Sequence, residues 1–193
     1  MVTFAEPLWA ELINSDWRDY RGSGAREDRI DSAAWLEAFL RRTGWDRGGL
    51  PSGDERKALR RLRSLLARMV DALLAGGPVA AGDRAALNRV LARAPVVREL
   101  AEAPAGVHSV RLLAAARGIA AVAGAVAATF ADLLAEGDVS RVGRCANPDC
   151  GWVIYDASRS RTRRWCNAAE CGNLIKVRRF RERRRRRGHR RRS

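Results

Sequence analysis

Apolar positions along most of the chain recur at helical spacing. Trp35, Leu36, Phe39 and Leu40 share one face behind Asp31 and Ser32, either of which can cap the first turn, and Gly44 marks the stop. A longer period carries Leu59, Leu62, Leu65, Leu66, Met69, Val70, Leu73 and Leu74. It opens on Pro51, Ser52 and Glu55, the serine and glutamate three apart as in a capping box, and closes at Gly76, Gly77 and Pro78. A third helix opens at Asp83, turns Leu87, Val90 and Leu91 inward and ends at Pro95. Residues 112–136 are rich in alanine, stop at Gly137 and predict a long helix at the centre of the N-terminal domain, since small residues permit close packing.

The intervals are less regular. Residues 8–15 (LWAELINS) fit neither a helix nor a strand period. Residues 16–29 are charged and hold Gly22, Ser23 and Gly24, which predicts a loop. Val96, Val97, Val107 and Val110 surround Pro104 and Gly106, consistent with two short strands in a hairpin. The only low-complexity segment is the arginine run near the C-terminus.

Charge divides the chain in two. Its 193 residues carry a net charge of +15, yet residues 1–140 account for +1 and residues 141–193 for +14. The length suits one ordinary domain plus a small appendage, and the basic segment implies a polyanionic partner. The longest uncharged stretch, residues 118–131, is shorter than the roughly 20 residues that span a bilayer, so it reads as a buried helix with no membrane role. With no basic, apolar and small-residue leader pattern, a cytoplasmic location is expected. The scarcity of lysine among the basic residues and the abundance of alanine suggest a GC-rich bacterial genome.

All four cysteines lie in the pattern Cys145-x4-Cys150-x15-Cys166-x4-Cys171. Two close pairs joined by a short insert suit tetrahedral Zn(II), each pair forming a knuckle. Asn147-Pro148 bends the first loop, while Gly151 and Gly172 follow the second cysteine of each pair, where a tight turn lets backbone amides approach sulfur. Disulfides or unrelated buried thiols are the alternatives, and both suit a clustered, non-secreted pattern poorly. Four thiolates fill the coordination sphere, so a single zinc here is structural. Trp152, Val153, Ile154 and Tyr155 suggest a strand, residues 156–164 a returning basic loop, and Trp165 a cover for the metal core. An insert so poor in apolar bulk needs its metal to fold, and metal removal is expected to unfold this module while leaving residues 1–140 folded.

After Cys171 comes an arginine-rich helix for which Asn173 is a reasonable cap. Leu174, Val177 and Phe180 share one side and are expected to dock on the zinc module; Lys176, Arg179, Arg183 and Arg187 form a stripe on another. Twelve basic residues against Glu182 alone between Asn173 and Ser193 would repel one another without counterions, so a merely solvated face explains them poorly. Arginine's planar fork matches phosphate. The candidate nucleic-acid-binding residues are Arg163, Arg164, Lys176, Arg178, Arg179, Arg181, Arg183 and Arg187. DNA is favoured over RNA because Phe180 is the only aromatic in the tail that could stack on an unpaired base.

From Arg144 to Arg181 the chain resembles the CGNR zinc-finger family. Asp156, Ser158, Arg164, Trp165, Cys166, Cys171, Gly172, Asn173 and Lys176 fall where that family's pattern wants them, and Leu174 replaces the arginine of its Cys-Gly-Asn-Arg signature. The segment LINSDWRD, followed by an acidic-capped helix containing tryptophan, is similar to the ABATE domain that precedes such fingers. The resemblance implies a stress-induced bacterial transcription regulator, with an N-terminal domain that senses a ligand and a finger that binds DNA.

Trp9, Trp17, Trp35 and Trp45 lie near Asn14, Arg18 and Arg21. They read either as a ligand pocket with aromatic walls, for which Asn14 and Arg18 are the candidate polar groups, or as ordinary core, the commoner use of tryptophan. Asn14 also matches the family's Leu-x-Asn type motif. His108 has no cysteine and no Ser-rich elbow near it in sequence and no phosphate-cradling glycine motif is present, so an enzyme is not expected.

The fold class that follows is an α-rich α+β chain: a helical N-terminal domain with a few short strands, over residues 1–140, serving ligand sensing or dimerisation; a zinc-knuckle module with a short hairpin and a basic helix, over residues 141–187; and a disordered basic tail, residues 188–193. An RNA-binding or ribosome-associated zinc protein is the rival reading, and a scaffold for an acidic protein a third.

Overall fold

The computed structural model describes residues 6–43, 45, 48–103 and 106–190, so Gly44, Pro104 and the side chain of Arg187 lie outside the described residues. Helix dominates, at 54% against 15% strand, as the α-rich reading has it.

The ambiguous segment 8–15 forms helix α1 (Leu8–Ile13), with Trp9, Ala10, Leu12 and Ile13 all buried. It packs on both the helix at Gly53–Leu74 and the helix at Gly118–Ala135, and burial on several sides is why no single apolar stripe shows in its sequence. Helix α2 (Ala33–Arg42) starts at Ser32, whose Oγ accepts a hydrogen bond from the Trp35 amide. Helix α3 (Gly53–Leu74) has the expected capping box: Glu55 N donates to Ser52 Oγ, and Ser52 N to Glu55 Oε2. Helix α4 (Ala81–Ala92) begins two residues before Asp83, whose carboxylate accepts from Arg68 of α3 at 2.8 Å.

The expected loop at 16–29 is instead a small antiparallel pair, β1 (Asp16–Arg18) and β2 (Arg26–Asp28), followed by a 3₁₀ turn. Its strands carry almost no apolar pattern because ion pairs satisfy them. Arg26 reaches Asp16 across the pair, and Arg60 and Arg63 reach down from α3 to Asp28. Burial alone would raise the Asp28 pKa, but these hydrogen bonds hold it at about 2. Its contribution to stability is therefore complete above an ordinary carboxylate pKa of about 4 and is lost as pH falls toward 2. Urea midpoints measured between pH 5 and 2 should fall more steeply for the native chain than for Asp28→Asn. The difference should be at most about 2 kcal/mol, reduced by the water that screens this partly exposed group.

Strands β3 (Val96–Ala103) and β4 (Val107–Ala114) form the predicted hairpin, with longer strands than expected. Helix α5 (Gly118–Ala135) consequently starts six residues later than its composition suggested, residues 112–114 being spent on β4. By length and composition α5 could cross a membrane, but here it is a core helix against α1, α3 and α4. Phe130 of α5 meets Trp9 of α1 edge to face at 5.5 Å.

The third hairpin, β5 (Val142–Arg144) with β6 (Val153–Tyr155), belongs by sequence to the zinc module. In space it completes the N-terminal core. Val142 and Val153 are buried in the same cluster as Trp9, Leu66 and Phe130, with β5 against α3 and β6 against α1. The hairpin of the basic segment thus shares the core of the N-terminal part. Helix α6 (Asn173–Arg190) leaves this region, its backbone helical through Gly188 to Arg190; residues 191–193, the rest of the expected disordered tail, lie outside the described residues.

Candidate metal centre and nucleic-acid face

Cys145 and Cys150 lie in the turn between β5 and β6, while Cys166 precedes and Cys171 sits within a π-helical turn (Ala168–Gly172) that feeds α6. Their four Sγ atoms all lie within 4.8 Å of one another, with Cys150 to Cys166 at 3.6 Å and Cys166 to Cys171 at 3.5 Å. These are not disulfide distances. Tetrahedral zinc with bonds of about 2.3 Å requires sulfur edges of about 3.8 Å, which the cluster meets. The thiols also cannot ionise together unaided. Hydrogen bonds from Cys150 and Cys166 hold Cys145 low, its contact with Cys145 pushes Cys150 up to about 12, and Cys166 and Cys171 are pushed up as well. One divalent cation resolves that conflict, so the donor set fits one structural zinc ion.

The surroundings explain several residues of the pattern. Gly151 has φ of +68°, the left-handed turn the first knuckle needs. Gly172 serves differently from the expected tight turn: it makes room for Trp165, whose Cδ1 would lie 3.2 Å from an added Cβ. Trp165 packs on the cysteine cluster as expected, together with Tyr20 and Trp152. Buried Asp156 ties the basic loop, its carboxylate accepting from the amides of Ser158 and Arg163. Asn147 does more than bend a loop. Its Nδ2 lies 2.8 Å from the Tyr20 carbonyl and 3.4 Å from Cys171 Sγ, a link to the N-terminal half that the sequence signalled only as Asn-Pro.

Asn173 is not the cap of the basic helix. Asn167 is, accepting from the Ala169 amide at the start of the π turn, and Asn173 already has helical φ and ψ. The register in which that turn delivers α6 also changes which face docks. Ile175 is buried and Leu174 half-buried, whereas Val177 and Phe180, expected to dock, are exposed.

The candidate nucleic-acid residues whose side chains are described, all but Arg187, separate into structural and exposed groups. Arg163 is half-buried and fully engaged: its guanidinium donates to Glu6 and to the carbonyls of Tyr155, Trp165 and Cys166. Arg178 donates to Asp149 and to the Arg21 carbonyl. Both are tethers between the two halves of the chain. Arg164, Lys176, Arg179, Arg181 and Arg183 are exposed, joined by Arg184 and Arg185.

Of the two candidate ligand residues, Asn14 is 4% exposed and both its amide atoms are engaged by Val153 of β6: Nδ2 donates to the Val153 carbonyl and Oδ1 accepts from its amide, each at 2.8 Å. It is a joint rather than a pocket group. Arg18 does line a cleft of about 880 Å³, together with Trp17, Arg29, Trp152 and Trp165. The Arg29 guanidinium stands 5.7 Å from the Trp17 ring and 5.6 Å from that of Trp152. The other tryptophans of the first 45 residues do not share this cleft: Trp9 is core and Trp35 stacks on Phe39.

Residues 6–137 match the family described as "ABATE: Putative stress-induced transcription regulator", and residues 141–184 match the CGNR zinc finger. A comparison with curated proteins gives no match. Because the first of these stretches takes in more than half of the chain and the second holds all four cysteines, the chain belongs to the ABATE family and carries a CGNR zinc finger at its C-terminal end.

Proposed function

We propose that this protein regulates transcription in the bacterial cytoplasm by binding duplex DNA through α6, with the zinc centre holding that helix on the body of the molecule. The observation that carries the reading is the set of cations left over once the structural arginines are subtracted. Lys176, Arg179, Arg181, Arg183, Arg184 and Arg185 are exposed along one helix. Six cations displacing counterions from phosphate give a slope of about −5 in log affinity against log salt, a loss of roughly 10³-fold between 50 and 200 mM. Fluorescence anisotropy of the full chain on duplex DNA, double-stranded RNA and single strands across that series tests it. Salt-insensitive affinity would refute phosphate-led binding, and preference for one duplex sequence at near-physiological salt supports a regulator. The rival RNA reading draws on Phe180, which is 54% exposed with the Arg184 guanidinium 5.9 Å from its ring, and it predicts single-strand preference in the same series.

For ligand sensing, the cleft around Trp17, Arg18, Arg29 and Trp152 is the place with the right properties. It has aromatic walls, the guanidinium groups of Arg18, Arg29 and Arg163 and a volume suited to a small molecule, and both halves of the chain line it. A thermal-shift screen of the full chain against planar aromatic acids tests this role. A stabiliser whose effect survives Arg18→Gln and Arg29→Gln would place the ligand elsewhere.

A further inference from the structure

Among the described residues, ten large hydrophobic side chains are exposed, and six of them lie on the β3–β4 hairpin: Val96, Val97, Leu100, Val110, Leu112 and Leu113. A two-stranded ribbon with so much apolar surface is marginal on its own; stability comes with further strands or a covering element. We infer that the free edge of β3 pairs antiparallel with β3 of a second copy of this chain, giving a two-fold symmetric dimer with a four-stranded sheet.

Three observations select this occupant and this register. First, the edge is available and its polarity is set. The Ala115 amide donates to the Pro95 carbonyl, so in the ladder that continues through Val97↔Leu113 and Glu99↔Arg111 the odd-numbered residues of β3 bond to β4. The N–H and C=O groups of Val96, Arg98, Leu100 and Glu102 therefore point outward, an unpaired template. Second, the edge is self-complementary in charge. Pairing centred on Leu100 sets Arg98 opposite Glu102 of the second copy twice, using only outward-pointing groups, whereas centres at Arg98, Glu99 or Glu102 set like charges opposite each other. Third, the same register continues an apolar row. Leu100 lies opposite Val110 within the hairpin, so the row becomes Val110, Leu100, Leu100, Val110 across the four strands, and Leu100, 70% exposed in the single chain, gains an apolar neighbour. The edge of β4 offers no opposite charges in any such register, because Arg111 is its only fully charged residue.

The interface is isologous and closes on itself, so assembly stops at two. It leaves α6 and the zinc centre untouched, and so stands or falls independently of DNA binding.

Sedimentation equilibrium or light scattering of the full chain tests it. The native protein is expected to be a dimer at tens of micromolar. Arg98→Glu and Glu102→Arg each place like charges opposite and should weaken the dimer by about tenfold or more, and the double exchange should restore it. Leu100→Lys should yield a monomer. All three sites are exposed, so the thermal melt of the monomeric variants reports whether they remain folded. A native protein that is monomeric at these concentrations overturns the inference, as does an assembly larger than a dimer, a dimer that the single exchanges leave intact, or a failure of the double exchange to rescue.

Discussion

Stripping zinc from the full chain with a chelator is expected to lower the melting temperature of the N-terminal helices as well as to unfold the cysteine module. The module itself depends on metal because its insert is too poor in apolar bulk to fold unaided, and binding free energies of about 10 kcal/mol or more are typical of structural zinc. The consequence for the rest of the chain follows from the shared core. Val142 and Val153 are buried against helices α3 and α1, and the Asn14 amide is paired with the Val153 backbone. Losing two buried valines and that pair removes about 5 kcal/mol, which for a chain of this size is a fall of roughly 10–20 °C. Hydrogen exchange at amides of α1 and α3, compared before and after chelation, reads the effect where it matters. Unchanged protection there would restore the simpler expectation of two independent parts.

Replacing Asn14 by alanine should cost about 3–5 kcal/mol, an effect usually reserved for large core truncations. The side chain is small and lies outside the regular core, yet its loss leaves a buried N–H and a buried C=O of Val153 with no partner. Each such orphan costs roughly 1–3 kcal/mol. Asn14→Asp should be no milder, because it keeps an acceptor for the Val153 amide but turns a second acceptor toward the Val153 carbonyl. Denaturant midpoints of the zinc-loaded variants measure both. A midpoint for Asn14→Ala that matches the native protein would mean that Asn14 joins nothing, and would return it to the list of ligand groups.

The parts of this protein that could be read before folding are those whose partners lie close by in the chain. The capping box at Ser52 and Glu55 spans three residues, and the cysteine pairs four intervening residues each. Elsewhere the deciding contact is remote. Asn14 meets Val153 across 139 positions, and Arg163 meets Glu6 across 157. Arg178 likewise looks like its neighbours in α6 until Asp149 and the Arg21 carbonyl are brought to it. The small sheet at 16–28 was hidden for a related reason: its polar strands are stabilised by arginines supplied from α3, which no alternation within the strands can reveal.

By itself, then, the sequence determined helices α2, α3 and α4, the thiolate set of the zinc finger and the concentration of positive charge in the last 53 residues, since composition, capping and ligand spacing act over a few positions. Tertiary structure alone decided that the finger's hairpin completes the N-terminal core, that Arg163 and Arg178 are tethers, and which cations of α6 face outward. Those outcomes depend on which surfaces meet, because burial and ion pairing reward proximity in space whatever the separation along the chain.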